Sequence, residues 1–250
     1  MTQSGLPGVS IMTVAADGLF FVRLLVEQVR ATIGARPYEV IVVDRGSRDG
    51  LREWARAQPD VRLLTHRVWP WQRGHRHGEA AEYGARHARH DRIVLLDSDA
   101  HPMEADWLHR SADLLDAKTR LAGAIFRSPH IGNPHGWYVH PHFMAFLKSD
   151  LGGLVVLRKI RGEDTDTGEE ATIRVLEAGL GIVGHEIAFC PAFDVGHPRV
   201  PTMAGGVFHA WYVSRLTHNE AEVIRETEGQ VSRTRYLDPL LARLRAAYGG

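Results

Sequence analysis

The sequence predicts an α/β fold, a mostly parallel sheet flanked by helices, followed by a smaller irregular region and C-terminal helices. Two observations predict it. Short apolar runs alternate with amphipathic segments through roughly the first hundred residues, and the regular alternation stops after Phe126.

Val9 to Val14 reads as a first strand. Asp17 then offers an N-cap, and Phe21, Leu24, Leu25, Gln28 and Val29 follow at helical spacing with one apolar face. Tyr38 to Val43 is a second strand, β-branched and suited to burial on both faces. It ends at Asp44, and Gly46 to Gly50 makes a turn before a short helix carrying Trp54. Val61 to Thr65 is a third strand, and His66 to Gly78 a long connection rich in Trp, Arg, His and Gly. Glu79 to Arg89 reads as helix. Arg92 to Leu96 is a fourth strand that runs straight into Asp97-Ser98-Asp99. Met103 to Asp116 is expected as an amphipathic helix and Leu121 to Phe126 as a fifth strand.

Pro129 to His142 is dense in His, Gly, Pro and aromatics, the composition of a substrate-facing loop. Gly168 to Ala178 is helical and closed by Gly179 at a C′ position. Val207 to His209 reads as the end of a late strand or a loop. Residues 219 to 248 form one or two terminal helices, with Leu237, Leu240, Leu241 and Leu244 as a stripe for core or dimer contact.

The bulk numbers exclude several function classes. Thirty Lys and Arg balance thirty Asp and Glu across 250 residues, which removes a global electrostatic case for nucleic acid or an anionic membrane. Cys190 is the sole cysteine, so an intrachain disulfide and a Cys-based zinc knuckle are both impossible. A reducing cytoplasm is the simplest compartment. No signal peptide is evident, and Arg23, Glu27, Gln28 and Arg30 interrupt the most apolar early stretch, so no membrane span is expected.

Chemistry concentrates first at Asp97-Ser98-Asp99. Residues i and i+2 of a strand share a face, so both carboxylates can converge beyond its carboxyl end, where open α/β sheets bind ligands. Two hard oxygen donors suit Mg²⁺ or Mn²⁺ holding a diphosphate. The plainer reading is an Asx turn at a solvated helix start.

These segments resemble the family 2 glycosyltransferases of the GT-A fold, a Rossmann-like architecture. The resemblance is carried by "VSIMTVAAD", "YEVIVVDRGSRDG" and "GARHARHDRIVLLDSDA", in order and at the family's spacing, and later by "GEDTDTGEEATIRVLEAG" and "GVFHAWYVSR". It implies one GT-A domain over residues 1–250, with a nucleotide-binding half at 1–103, an acceptor-binding half at 104–218 and C-terminal helices at 219–250.

It also implies a sugar moved from a nucleotide-diphosphate donor to a small-molecule or glycan acceptor hydroxyl, with inversion and with Mn²⁺ or Mg²⁺ as cofactor. Thr13, Val14 and Ala15 match the strand end lining the nucleotide pocket, and Asp44 the first acid of the paired-Asp motif. Gly78 and Ser98 fall with the donor contacts. Asp97 and Asp99 match the metal and nucleotide motif, with Asp99 favoured for direct coordination. His209 matches a late histidine that completes that site, and Arg215 is a candidate phosphate contact.

Two positions depart from the pattern. Arg45 stands where the family has a second Asp that touches the donor base, and Ala81-Glu82 where it commonly has Arg-Asn. Both leave the donor base open, with Arg73, Arg76 and His77 as candidate replacement contacts.

Inverting transfer needs a base within reach of the acceptor hydroxyl. Glu163, Asp164 and Asp166 are similar to the family's acidic acceptor-side motif, with Asp166 favoured and Asp164 second. The competing reading is that these acids only pre-charge a helix N-terminus. The pairs His75/His77 and His140/His142 lack zinc-hydrolase spacing and read as surface or loop histidines. Trp69, Trp71, Trp137 and Tyr138 suit equally a stacking surface or core anchors. Two other functions compete: a sugar-phosphate nucleotidyltransferase, whose Gly-rich, Arg-containing loop "TVAADGLFF" lacks, and a degenerate domain that binds nucleotide or a partner protein without turnover.

Overall fold

In the computed structural model, which describes residues 5–66, 77–160, 165–197, 200–211 and 233–248, Val9–Ala15 (β1) is buried at every position. It pairs in parallel with Tyr38–Asp44 (β2) on one side and Arg92–Asp97 (β4) on the other. Val61–Thr65 (β3) extends the parallel run beyond β2. Alternation then divides the core. Ile11, Val40, Val42, Val94 and Leu96 face Leu19–Thr32 (α1), which offers Val22, Leu25, Val26 and Val29. Met12, Ile41, Val43, Ile93 and Leu95 face His77–His87 (α3) and Glu169–Glu177 (α4) on the opposite side. Burial on both faces explains why these strands are apolar over most of their length. A short helix, Leu51–Arg56 (α2), joins β2 to β3.

The full sheet runs β3-β2-β1-β4-β7-β6-β8, with Thr119–Arg127 (β6), Trp137–Leu147 (β7) and Gly181–Glu186 (β8) completing it. The chain leaves β1 toward β2 and β3, then crosses to β4 on β1's other edge. That reversal opens a crevice at the carboxyl ends of β1 and β4, where Val14 lies opposite Asp97. A second, antiparallel sheet of Ala100–Pro102 (β5), Val207–His209 (β11), Thr202–Ala204 (β10) and Ala188–Phe189 (β9) sits at this end.

Three expectations need correction. Asp17 does not cap α1. The N-cap position is Gly18, left-handed at φ 86°, and Asp49 from the β2–α2 loop accepts the Leu19 N–H at 2.6 Å. Asp17 instead accepts the Arg48 N–H at 2.6 Å, so the two loops at the crevice are stitched together.

Met103 to Asp116 is not an α-helix. Its backbone bonds mix spacings, with Arg110 N–H bonded to Asp106, Ser111 to Leu108, and Asp113 also to Leu108. Ser111 Oγ donates to the Trp107 carbonyl at 2.8 Å, a local competitor to helical bonding. The apolar pattern was still informative, because Trp107, Leu108, Ala112 and Leu115 are all buried.

Residues 129–136 of the expected loop are turn and coil, but 137–142 begin β7, an antiparallel strand between β4 and β6. Pro141 lies where the β6–β7 register shifts, so its missing N–H interrupts no ladder bond there. Gly123, paired with Met144 beside the shift, adopts φ 148°, and a Cβ there would collide with the Phe143 carbonyl.

The Leu237, Leu240, Leu241 and Leu244 stripe is core. It lies on Arg233–Tyr248 (α5) and packs against Phe21, Leu24, Phe193, Phe208 and Ala210. Among the described residues no helix is long and apolar enough to cross a membrane.

Candidate active site

Asp97 ends β4 and Asp99 follows the turn into β5. His209 arrives from the far end of the chain because β11 pairs with β5, placing His209 opposite Ala100. The Ala210 N–H bonds the Asp99 carbonyl at 3.2 Å and locks that alignment. His209 Nε2 lies 3.3 Å from Asp99 Oδ1 and 3.7 Å from Asp97 Oδ2. Donor atoms of the three side chains all fall within 4.8 Å of one another. Asp99 and His209 are about 5% and 4% exposed, and Asp97 is half-buried, so the cluster opens on one side. Two hard carboxylates with one imidazole suit a divalent cation. The expected metal ligands therefore converge.

A wall of rings lines the crevice beyond them. The His142 and His209 rings stack at 4.4 Å with planes 5° apart, and Trp211 lies 4.7 Å from His209. Phe126, 5.5 Å from Trp211, continues the wall to Tyr138 at 5.9 Å. Trp211 is left-handed at φ 56°, and its Nε1 donates to Thr202 Oγ1 at 2.8 Å, fixing the ring. His140 Nδ1 accepts the His142 N–H at 3.1 Å and faces His142 Nδ1 at 2.7 Å. His140 is thus an Nδ1 acceptor and His142 an Nδ1 donor, which fixes both tautomers. Burial, with His209 nearby, pushes the His140 imidazole down to about 3 and His142 well below the ordinary histidine range. Both are neutral at pH 7. The expectation that they are surface or loop histidines is corrected: they lie on β7, and the strand's alternation aims both at the site.

Asp166 stands at the other end of this wall. Its Oδ2 accepts the Tyr138 phenol at 3.2 Å, and its Oδ1 accepts the Thr167 N–H at 2.7 Å. Burial first, then the Asp166 charge, raises Tyr138 far above the usual phenol range, so it stays a donor. The Asp166 N–H bonds the carboxylate of Glu169, a fully buried acid that also meets His130 Nδ1 at 3.0 Å and Asn133 Nδ2 at 3.2 Å. The Tyr138 ring lies 5.6 Å from His140, and His140 lies 6.4 Å from His209, so one run of ring contacts joins Asp166 to the acid cluster. Glu169 was missed by the sequence reading, although an acid in the first turn of α4 was its signal.

The donor-side residues are placed as follows. Thr13, Val14 and Ala15 end β1 at the crevice, and Thr13 Oγ1 is buried with no partner among the described residues. The Asp44 carboxylate is buried and engaged, accepting from Gly46 N–H at 3.2 Å, Ser47 N–H at 2.9 Å and Arg52 Nε at 2.5 Å. Arg45 is half-buried, its N–H on the Ala15 carbonyl at 2.8 Å. Ser98 is half-buried in the turn between the two acids. Gly78 packs where a Cβ would collide with the Leu157 carbonyl, so it seats α3. Glu82, at a departure from the family pattern, is a clamp: its carboxylate accepts the Leu157 and Arg158 N–H groups at 3.1 and 3.2 Å. Asp164, Glu163, Arg215, Arg73, Arg76, His75, Trp69 and Trp71 lie outside the described residues.

Solved structures share this architecture. A mannosyltransferase from Pyrobaculum calidifontis, in complex with GDP-Man and Mn²⁺, aligns at TM-score 0.55 and 20% identity, covering 98% of this chain and 76% of that one. Glucosyl-3-phosphoglycerate synthase from Mycobacterium tuberculosis, with phosphoglyceric acid, aligns at TM-score 0.52 and 18% identity over 74% and 71% of the two chains. The same synthase with Mn²⁺, uridine diphosphate and glucosyl-3-phosphoglycerate aligns at TM-score 0.52 and 15% identity, with the same coverage. At these identities the likeness shows the fold, which is GT-A. No curated protein sequence matches the chain. The profile described as "Glycosyl transferase family 2" matches residues 20–167, more than half of the chain and including β1's neighbours, Asp97, Asp99 and Asp166. With the sheet order and the acids at its switch point, that match makes the chain a glycosyltransferase of family 2.

Proposed function

We propose that this chain transfers a glycosyl group, with inversion and with a divalent ion, from a nucleoside diphosphate sugar to the hydroxyl of a small-molecule or glycan acceptor. The observation that carries the reading is the meeting of Asp97, Asp99 and His209, joined to Asp166 through the Tyr138, His140 and His209 rings. The buried His209 Nδ1 has no partner among the described residues, leaving that ring free to settle against an ion. Mn²⁺ in the mannosyltransferase and synthase complexes, alongside GDP-Man and uridine diphosphate, supports the same chemistry here.

Asp97, Asp99 and His209 would hold Mn²⁺ or Mg²⁺, which when bound neutralises charge developing on the diphosphate leaving group. Thr13, Val14, Ala15, Asp44, Arg45, Gly78 and Ser98 form or brace the nucleoside side, and Arg215 is the candidate phosphate contact. Asp166 takes the proton of the acceptor hydroxyl. Tyr138 and the Thr167 N–H hold that carboxylate in one orientation. The neutral His140 and His142 with Trp211 and Phe126 make a wall of low charge that limits water near the reacting centre. The nucleotide half corresponds to residues 1–103 and the acceptor half to 104–218, in a single domain.

Paired substitutions test this. Asp99→Asn removes the Mn²⁺-dependent stabilisation of the protein by a nucleoside diphosphate. Asp166→Asn keeps that stabilisation and lowers transfer by about 10²–10⁴-fold, the range of a lost general base. Normal transfer by both variants defeats the assignment. A panel of nucleoside diphosphates in the same thermal assay names the donor base, since a ligand at a hundredfold excess over Kd stabilises by about 2.7 kcal/mol.

A further inference from the structure

The ring wall holds a hydrogen-bond donor midway between the acid cluster and Asp166. The His140 ring centre is 6.4 Å from that of His209 and 5.6 Å from that of Tyr138, whose phenol bonds Asp166. Phe126 at 5.3 Å and Trp211 at 5.7 Å flank it.

Backbone geometry sets where the His140 ring carries its proton. The His142 N–H, a group that can only donate, bonds His140 Nδ1 at 3.1 Å. His142 Nδ1 approaches the same atom at 2.7 Å. Nδ1 of His140 is therefore an acceptor, and the ring's one proton sits on Nε2. Nε2 lies on the ring edge remote from those two contacts. Among the described residues nothing pairs with it, and the atom is not sealed from solvent. Other donors of the wall are engaged, Trp211 Nε1 on Thr202 and the Tyr138 phenol on Asp166.

An inverting displacement sets the base on the side of the sugar opposite the leaving group. With the diphosphate held at Asp97, Asp99 and His209 and the base at Asp166, the transferred ring lies between them. His140 stands in that interval. We propose that His140 recognises the transferred sugar, its Nε2–H donating to a sugar oxygen while the Trp211 and Phe126 rings pack on the sugar's C–H face. The inference rests on the glycosyl-transfer reading above. A sugar suits such a surface, because an apolar wall supplies contact area and one fixed polar group supplies orientation.

The test measures, with Mn²⁺ present, how much tighter a nucleoside diphosphate sugar binds the full chain than the bare nucleoside diphosphate. UDP, GDP, ADP and dTDP are each paired with their glucose or mannose conjugates in calorimetric titrations. His140→Phe keeps a ring in the wall. In it the bare diphosphate binds as in the unmodified protein, and the conjugate loses about fivefold, the worth of one net hydrogen bond. A conjugate loss below twofold, or an equal loss for both ligands, overturns the proposal. Imidazole ¹⁵N NMR of the unmodified protein gives a readout that does not depend on the variant. It finds the His140 proton on Nε2, and the conjugate shifts that resonance where the bare diphosphate does not. A proton on Nδ1, or a bound conjugate that leaves the resonance unmoved, also overturns it. The two levels separate cleanly. If no diphosphate binds with Mn²⁺, the donor reading fails and takes the proposal with it. If diphosphates bind and the sugar's contribution ignores His140, the role of His140 alone is withdrawn.

Discussion

Glu82 links the donor side of the sheet to the segment approaching Asp166, and its removal has a cost that can be worked out. The carboxylate is 3% exposed. Oε1 accepts the Leu157 and Arg158 N–H groups at 3.1 and 3.2 Å, and Oε2 meets Arg158 Nη1 at 2.9 Å and Arg86 Nη2 at 3.1 Å. The two arginine side chains are 49% and 58% exposed, so water replaces the lost ion pairs and they contribute about 0–1 kcal/mol. Leu157 is fully buried, and its orphaned N–H costs about 1–3 kcal/mol. The second backbone bond, at half-exposed Arg158, adds about 0.5–1.5 kcal/mol. Glu82→Ala is therefore expected to destabilise the chain by about 3 kcal/mol, or about 6–12 °C in Tm at this chain length. Urea unfolding measures the loss, and amide exchange at Leu157 locates it. A change below about 1 kcal/mol, or unaltered protection at Leu157, refutes the clamp and returns Glu82 to the role of a surface ion pair.

Two further outcomes follow from the same structure. Arg30 first, with help from Tyr38, holds the Asp60 carboxyl at about 2 against an ordinary 3.8. The folded value is depressed, so the stabilisation is present above about 3.8 and disappears as pH falls toward 2. Asp60→Asn should be less stable than the unmodified protein at neutral pH, and the gap should close in chemical denaturation near the acid end; a gap independent of pH refutes it. Leu240 is fully buried in the cluster with Phe21, Phe193 and Phe208, so Leu240→Ala should cost about 2–5 kcal/mol by calorimetry. A loss under about 1 kcal/mol would return the stripe to the role of a contact surface.

The sequence by itself determined what depends on local pattern. β1, β2 and β4 were legible because strands buried on both faces must be largely apolar, and the edge strand β3 by its short Val61–Thr65 run between polar segments. Asp97 and Asp99 were legible because a carboxylate pair directly after such a run breaks the pattern. Gly179, at φ 68°, closes α4 where a left-handed residue was expected. The strand β7 was not legible: His140, Pro141 and His142 carry the composition of a loop, and only the pairing of the residues on either side of them with β4 and β6 carries the strand through. The segment 103–116 has helical periodicity, yet its backbone bonds mix spacings and Ser111 Oγ competes for the Trp107 carbonyl.

Tertiary structure alone decided which of the candidate side chains meet. His209 reaches Asp99 because β11 pairs with β5, and long-range register leaves no trace in local spacing. The same holds for His77 beside Asp97, Tyr138 on Asp166 and Trp211 against His209, each set by which strand ends meet. Residue type is a local property and was read from the chain. Proximity between distant segments is a property of packing, and only the folded sheet order supplies it.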